Sequence, residues 1–579
     1  MKGADVIALT LKRLGVTVVF GIVGIPVVEV ADACIAQGIR FIGFRNEQSA
    51  SYAAGAWGYL SGEPGVCLVV SGPGVLHALP GLANAQVNCW PMLLLGGSCD
   101  TYQTGWGAFQ ELGQTEACRP YTKYAARPPT VDQIPQTLQT AFRHTINGRP
   151  GPAYVDLPAD YIQAKLDPVS TVTTAETATG GGPNRAADPV AITQAIRKLR
   201  AARNPLVIVG KGAAYARVET DGVLEGLITR SGWPFLPTSM AKGLLPDDHP
   251  LCVGAARSQA LAQADVVLLL GARVNWMLHF GQKFRSDVTL IQADVAAEEI
   301  GQNHPVAIAL VGDLKAIVGQ LNQALRQSSP ASSSQLDNGP ATITTATTTT
   351  TSNHTKLAQR YRVNDIPMTY HRAFAEIKRA LEPVYRDQVV LVSEGANTMD
   401  IARTVFDLYQ PRRRLDAGTF ATMGVGMGFS IAAQLFYNPS SAQTPGELVK
   451  SAATQPGNRV VAIVGDSAFG FSAPEIETAV RAGLPLLVIV INNNGIYHGL
   501  DPHAYQKEVA QKGLALMPST ALSPDTRYDL LAEAMGARGY WVKTPDELFE
   551  AIQEAWVQPQ VAVINCMIQP GGPQKLVSN

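Results

Sequence analysis

At 579 residues the chain is long for one hydrophobic core and predicts about three or four domains, and its 46% hydrophobic and 16% charged residues with 53 glycines exclude a disordered or fibrous chain. A formal net charge of -1 leaves no footprint for nucleic acid or an anionic membrane, no apolar run spans a bilayer, and Met1-Lys2-Gly3-Ala4-Asp5 does not open like a secretory signal, so a soluble intracellular chain is expected. Seven scattered cysteines, odd in number and never in a Cys-x-x-Cys arrangement, argue against a disulfide framework or a zinc site.

From about Ala4 to Leu166, apolar helical stretches alternate with short strands such as Val18-Val19-Phe20, Phe41-Ile42-Gly43-Phe44 and Val66 to Val70. The alternation predicts a parallel sheet wrapped by helices over residues 1–167. Phe20-Gly21-Ile22-Val23-Gly24-Ile25-Pro26 reads as a strand entering a glycine and proline turn. Glu47 stands between a strand end and an alanine-rich helix, where a carboxylate either favours the positive helix end or takes part in chemistry. Ser71-Gly72-Pro73-Gly74 lets backbone approach a ligand, and His77 just beyond is either a structural histidine or a proton carrier. Gly107-Ala108-Phe109-Gln110-Glu111 is a polar loop, and Arg149 to Pro158 is a proline-bounded strand that closes the domain. Threonine, glycine and alanine without periodicity make 168–188 a linker.

A second alternation fills 189–325, with Pro205 to Val209 and Val266 to Leu270 as strands. Gly210-Lys211-Gly212 lacks the third glycine of the dinucleotide fingerprint and is either a packing turn or a ligand loop. Lys211, Arg273, Asp294 and Asp313 all fall at strand ends. The serine- and threonine-rich run in 326–365 cannot bury a face and reads as an interdomain connection. A third alternation, 366–569, opens with a helix near Tyr370 to Leu381 and a strand running into Ser393-Glu394-Gly395-Ala396-Asn397, and 570–579 is a tail. Arg412-Arg413-Arg414 is either a solvated turn or a phosphate contact, and Met423, before Gly424, is either core or a ligand wedge.

Val460 to Val464 and Leu487 to Ile491 are β-branched runs ending in Gly465-Asp466-Ser467-Ala468 and Asn492-Asn493-Asn494-Gly495-Ile496-Tyr497. A helix-length segment between them predicts a strand-helix-strand unit, and open parallel sheets bind ligands at the carboxyl ends of their strands. Asp466, Asn493 and the backbone carbonyl of Gly495 are therefore expected to form a hard-oxygen set for Mg2+, with water and a diphosphate in the remaining positions. A helix cap and an asparagine turn are the plain alternative.

Gly465-Asp466-Ser467 followed after a helix by Asn492-Asn493 resembles the thiamine-diphosphate motif. The resemblance spreads over Phe20 to Pro26, Gly107 to Glu111, Ser393 to Asp400 and Gly465 to Ser472, and covers nearly the whole chain. The sequence resembles the 2-hydroxyacyl-CoA lyases of the thiamine-diphosphate decarboxylase superfamily, close to the oxalyl-CoA decarboxylases. It implies three consecutive parallel-sheet α/β domains: pyrimidine-binding, central and diphosphate-binding. It further implies that Glu47, in apolar surroundings, bonds the aminopyrimidine nitrogen, while Met423 wedges the cofactor into a bent shape. Asn397, Gly424, Ser467, Ala468, Ile496 and Tyr497 complete the implied cofactor set. His77 and Gln110 are the other implied catalytic residues. Phe109-Gln110 match the substrate-facing pair of lyases and acetohydroxyacid synthases, where oxalyl-CoA decarboxylases usually show Tyr-Glu. Arg149, Lys211, Arg273, Asp294 and Asp313 match positions that hold ADP in oxalyl-CoA decarboxylase-like chains, the cations pairing phosphates and the carboxylates a ribose.

The implied reaction cleaves a 2-hydroxyacyl-CoA to formyl-CoA and an aldehyde, with the cofactor as electron sink. Three alternatives remain: oxalyl-CoA decarboxylation, an acetohydroxyacid-synthase-like carboligation with FAD in the middle domain, and cofactor binding without catalysis. The superfamily's sites lie between subunits, so a homodimer or a tetramer of dimers is implied. Kinship also implies a peroxisomal setting, with a cytoplasmic one as the alternative. Leu576-Val577-Ser578-Asn579 lacks one apolar residue of a receptor-read tripeptide, which fits a shortened sequence.

Overall fold

The computed structural model describes residues 1–166, 185–327, 357–439 and 457–571. Most of the expected linkers 168–188 and 326–365, and nearly all of the tail 570–579, lie outside the described residues.

Three sheets organise the chain. The first holds β1 (Val18–Gly21), β2 (Arg40–Gly43), β3 (Gly65–Val69), β4 (Met92–Ser98), β5 (Tyr124–Ala126) and β6 (Pro152–Pro158) in the order β2-β1-β3-β4-β6-β5. The second holds β7 (Pro205–Val209), β8 (Phe235–Pro237), β9 (Val266–Leu270), β10 (Thr289–Asp294) and β11 (Ile308–Val311) in the order β11-β10-β9-β7-β8. The third holds β12 (Val389–Glu394), β13 (Arg414–Asp416), β14 (Arg459–Gly465), β15 (Leu487–Asn492), β16 (Arg538–Val542) and β17 (Ala562–Met567) in the order β13-β12-β14-β15-β17-β16. The first two sheets are parallel throughout, as are the pairs β12–β14, β14–β15, β15–β17 and β16–β17. The expected α/β class of three parallel-sheet domains is therefore the class observed.

Helices on both faces explain why these strands read as continuous apolar runs: β3, β4, β7, β9, β15 and β17 are buried at every residue. In the third sheet the chain leaves β12 for β13 on one side and returns to β14 on the other. The strand order thus reverses between β12 and β14, where parallel sheets open a crevice at their carboxyl edge.

The chain falls in two compact units, one holding the first sheet and the third from β12 and Asp416 onward, the other holding the second sheet together with Arg414 and Leu415 of β13. Two helices join the first sheet to the third. The helix Glu47–Ser61 is capped by the Asn46 side chain, which accepts from Gln48 N at 2.8 Å, and it ends at Gly62 with φ of 83°. It packs on the helix Gly426–Tyr437, where all residues from Gly426 to Leu435 are buried. Both helices are buried over most of their length, and here each covers part of the other. Close approach requires Gly428, since a Cβ there would sit 2.5 Å from Ser49 O, and the seam carries Tyr52–Phe429 and Trp57–Phe436 edge contacts at 6.3 and 5.9 Å.

Two sequence-based boundaries change. The helix expected near Tyr370 to Leu381 continues to Gln388. The single helical segment expected after Asp466 is two helices, Asp466–Ser472 and Glu475–Arg481, separated at Pro474, which has no N–H to continue the ladder.

Candidate active site

The register of the third sheet pairs Gly465 with Ile491, so the residues leaving β14 and β15 emerge side by side. Asp466 is 3% exposed and joins the two turns: Oδ1 accepts from Ser467 N at 2.8 Å and Oδ2 from Gly495 N at 3.0 Å. Burial pushes its carboxyl up to about 7 against those backbone donors. Asn493 donates from Nδ2 to Tyr497 O at 3.2 Å, and Asn397, beyond β12, donates to the same carbonyl at 3.0 Å. Groups from β12, β14 and β15 thus meet at the crevice. Ile496 and Tyr497 flank it with 42% and 41% exposure.

The other two asparagines of the run turn away. Asn492 donates to Thr526 O and to Asn565 Oδ1, at 3.2 and 3.1 Å, and Asn494 ties Asp525 N and Leu500 O. They hold the loops behind the edge, leaving Asp466, the Asn493 amide oxygen and backbone carbonyls as a donor set for a hard cation. Among the described residues there is no cluster of three His, Cys, Asp or Glu side chains, so a cation here would rest on one carboxylate and neutral oxygens. That set fits Mg2+ with a diphosphate.

Met423 and Gly424 lie on a turn before the helix Gly426–Tyr437. Its geometry is set by Glu394, the last residue of β12, which is fully buried and accepts from Gly424 N, from Gly426 N at 2.6 Å and from Val425 N at 3.2 Å. Burial raises this carboxyl to about 7. Gly424 has φ of 92°, and a Cβ on it would come within 3.4 Å of Phe471, itself 50% exposed. Half-buried Met423 and exposed Phe471 therefore offer an apolar wall beside a bare backbone turn. Ser467 and Ala468 lie in the first turn of the helix Asp466–Ser472.

In the first sheet, Glu47 follows β2 at the start of its helix, with its side chain 14% exposed. Its surroundings are less apolar than expected, because His77 Nδ1 lies 3.2 Å from Glu47 Oε2. His77 is 63% exposed at its side chain, on the helix Pro73–Asn88. The preceding Gly72 has φ of 49°, and a Cβ there would meet Gln110 O at 2.5 Å. Gly72 N donates to Gln114 Oε1 at 2.8 Å, and Gln114 Nε2 donates to Asp156 Oδ1 at 2.6 Å. Arg127 pairs with the buried Asp156 at 2.5 Å. The loop carrying Gln110 is tied by Glu111, which accepts from the amides of Gly105, Gly107 and Ala108, and these donors hold its carboxyl below the usual range. Gln110 has φ of 56°, and its Oε1 is buried without a partner among the described residues. It lines a cavity of about 240 Å3 with Cys99, Thr104, Glu111 and Arg127, while Phe109 is 75% exposed.

The structure thus brings Glu47 to His77, and Asp466 to Asn493, Gly495, Asn397 and Tyr497. Among the described residues no hydrogen bond links the two groups. Glu394, Gln114, Asp156 and Arg127 are absent from the sequence-based set. Glu394, at a strand end of the resembling Ser393-Glu394-Gly395-Ala396-Asn397 stretch, was the one with a signal.

In the second unit, Lys211 follows β7, Arg273 follows β9, Asp294 ends β10 and Asp313 follows β11, all on one carboxyl edge. Asp294 Oδ1 accepts from Ala296 N at 3.0 Å and Asp313 Oδ1 from Ala316 N at 2.9 Å, so one oxygen of each is committed to its turn. A Cβ on Gly210 would lie 2.2 Å from Gly271 O, which makes the glycine turn a packing necessity as well. Arg149 belongs to the other unit, where its Nε donates to Cys89 Sγ at 3.0 Å. All seven cysteines are free, and four are buried.

Comparison with known proteins gives three matches to family models: the thiamine pyrophosphate enzyme N-terminal TPP binding domain over residues 1–117, the central domain over 192–321 and the C-terminal TPP binding domain over 393–566. The chain is 44% identical to 2-hydroxyacyl-CoA lyase 1 of Homo sapiens, over 99% of this chain and 96% of that protein. It is 41% identical to the 2-hydroxyacyl-CoA lyase of Arabidopsis thaliana, over 98% and 96%. It is 39% identical to the oxalyl-CoA decarboxylase of Escherichia coli (strain K12), over 98% and 95%.

Proposed function

This chain belongs to the thiamine pyrophosphate enzyme family, and on that footing we propose that it cleaves a 2-hydroxyacyl-CoA between its first two carbons, releasing formyl-CoA and an aldehyde. What supports the choice is the higher identity to lyases, 44% and 41%, against 39% for the decarboxylase, at nearly equal coverage. Gln110 Oε1, buried without a partner among the described residues, is an acceptor suited to the hydroxyl donor of a 2-hydroxyacyl group, which an oxalyl group lacks. Thiamine diphosphate, when bound, supplies a carbon nucleophile and an electron sink.

The residues act around it. Asp466, the Asn493 amide oxygen and the Gly495 carbonyl would hold Mg2+, and Ser467, Ala468, Ile496, Tyr497 and Asn397 would line the diphosphate end of the cofactor. Met423 and Gly424 would line the ring system of the bound cofactor. Glu47 holds a proton at Oε for exchange with the aminopyrimidine nitrogen, and His77 Nδ1, 3.2 Å away, serves as its proton partner. Glu47 of one subunit and Asp466 of another complete each site, in a homodimer or a tetramer of dimers. On the second sheet, Lys211 and Arg273 would pair the phosphates of ADP, and Asp294 and Asp313 would bind its ribose. No described helix is long and apolar enough to cross a membrane; a peroxisomal setting, with the cytoplasm as alternative, accompanies this reading.

The second reading is oxalyl-CoA decarboxylation, favoured by the 39% identical relative of that name. The deciding experiment supplies thiamine diphosphate, Mg2+ and either a 2-hydroxyacyl-CoA or oxalyl-CoA, then measures aldehyde and carbon dioxide. Faster aldehyde release is expected. Carbon dioxide alone would establish the decarboxylase.

A further inference from the structure

Glu475 opens the second helix after Asp466 and is 0% exposed. Its carboxylate reaches to the first sheet, accepting from Arg45 N at 3.2 Å through both oxygens and from Asn46 N at 3.0 Å. Thr478 Oγ1 donates to the same group at 2.6 Å and steadies it. Along the same helix, Arg481 donates to Gly43 O at 2.6 Å, and from the other side Arg40 donates to Ala482 O at 3.1 Å. One helix beside the third sheet therefore grips the chain from Arg40 to Asn46, and Glu47 is the next residue.

The two amides it takes are among those that secondary structure leaves over. The last sheet-side bond of this strand is Phe44 N to Gly21 O at 2.8 Å, and the first helical one is Ala50 N to Asn46 O at 3.1 Å. Arg45 N and Asn46 N fall in the gap between them. A buried carboxylate is a costly way to fill that gap if folding were its whole purpose, since apolar packing is often as stable. What it adds is a fixed direction for the chain as it turns from strand to helix.

We infer that Glu475 is a positioning residue for Glu47: by holding the amides of Arg45 and Asn46 it fixes where the Glu47 carboxyl stands, and so how fast that carboxyl exchanges its proton with the aminopyrimidine nitrogen. The inference rests on the role proposed for Glu47 above. It assigns Glu475 no contact with substrate or cofactor.

The test compares E475A, E475D and E475Q with E47Q in the full-length protein. In the cofactor-free protein, amide hydrogen exchange over residues 44–50, read by mass spectrometry, should rise at least about tenfold in E475A and stay near wild type in E475Q, whose amide oxygen still accepts. With thiamine diphosphate and Mg2+ bound, exchange of the thiazolium C2 proton, read by acid quench and NMR, should fall at least about tenfold in E475A and E475D. E475Q should lie within about threefold of wild type, with KM for the acyl-CoA unchanged in all three. E475D withdraws the acceptor by one methylene and decides the matter if E475A does not fold. Slow C2 exchange in E47Q with wild-type exchange in a folded E475D overturns the inference alone. Wild-type exchange in E47Q overturns the role of Glu47, and the inference with it.

Discussion

Glu47 and Asp466 are both carboxylates at the junction of a strand and a helix, yet their settings fit them for different work. Asp466 bridges Ser467 N and Gly495 N at the bottom of a crevice, where a cation would replace its lost hydration. Glu47 stands nearer solvent with an imidazole nitrogen beside it, an arrangement for moving a proton rather than holding an ion. E47Q should therefore lower kcat by about 10²–10⁴ while thiamine diphosphate still binds, as steady-state kinetics and a fluorescence titration would check. Burial also has a pH consequence. The Glu475 carboxyl is raised from 4.5 to about 7, so the unfolded chain releases this proton first; its contribution to stability is whole below 4.5 and is lost as pH climbs through 7. The cofactor-free protein should melt lower at pH 8 than at pH 5.5, and E475Q, which cannot ionise, should lose part of that drop; equal drops in calorimetry would contradict this. Glu47, Asp466 and Asn493 are legible in sequence because each stands beside a strand end. Glu475 is not: it reads as an ordinary acid in a first helical turn, and the amides it binds lie 430 and 429 positions away.

Elements were legible where burial imposes a pattern. Strands covered on both faces, such as β15, announce themselves as unbroken β-branched runs, and the crevice follows from their parallel order. The division of labour among Asn492, Asn493 and Asn494 was not, because it depends on loops that return from farther along the chain, including Thr526 and Asp525. The pairing of the helices Glu47–Ser61 and Gly426–Tyr437 was equally hidden, since each is alanine- or glycine-rich and buried over most of its length, with no single apolar stripe. That pairing sets the turn holding Met423 and Gly424 against the element that carries Glu47. G428V should force the helices apart at Ser49 O and destabilise the protein by about 1–3 kcal/mol, read as a lower denaturant midpoint at unchanged slope. An unchanged midpoint would show that the seam yields freely.

On the scale of the molecule, one compact unit carries both Glu47, beside the first sheet, and Asp466, beside the third, and under the proposed function one would handle the proton and the other the ion. A second copy of the chain completes the site if each cofactor takes Glu47 from one subunit and Asp466 from its neighbour. Such an enzyme can be rebuilt from two dead variants. E47Q and D466A, each inactive alone, are unfolded or dissociated together, reassembled in equal amounts and given thiamine diphosphate, Mg2+ and a 2-hydroxyacyl-CoA. Half the random dimers are hybrids with one of two sites intact, so aldehyde release should return to about a quarter of the wild-type rate. A mixture as inactive as its parents, with hybrid dimers present, would contradict the shared site on which the account depends.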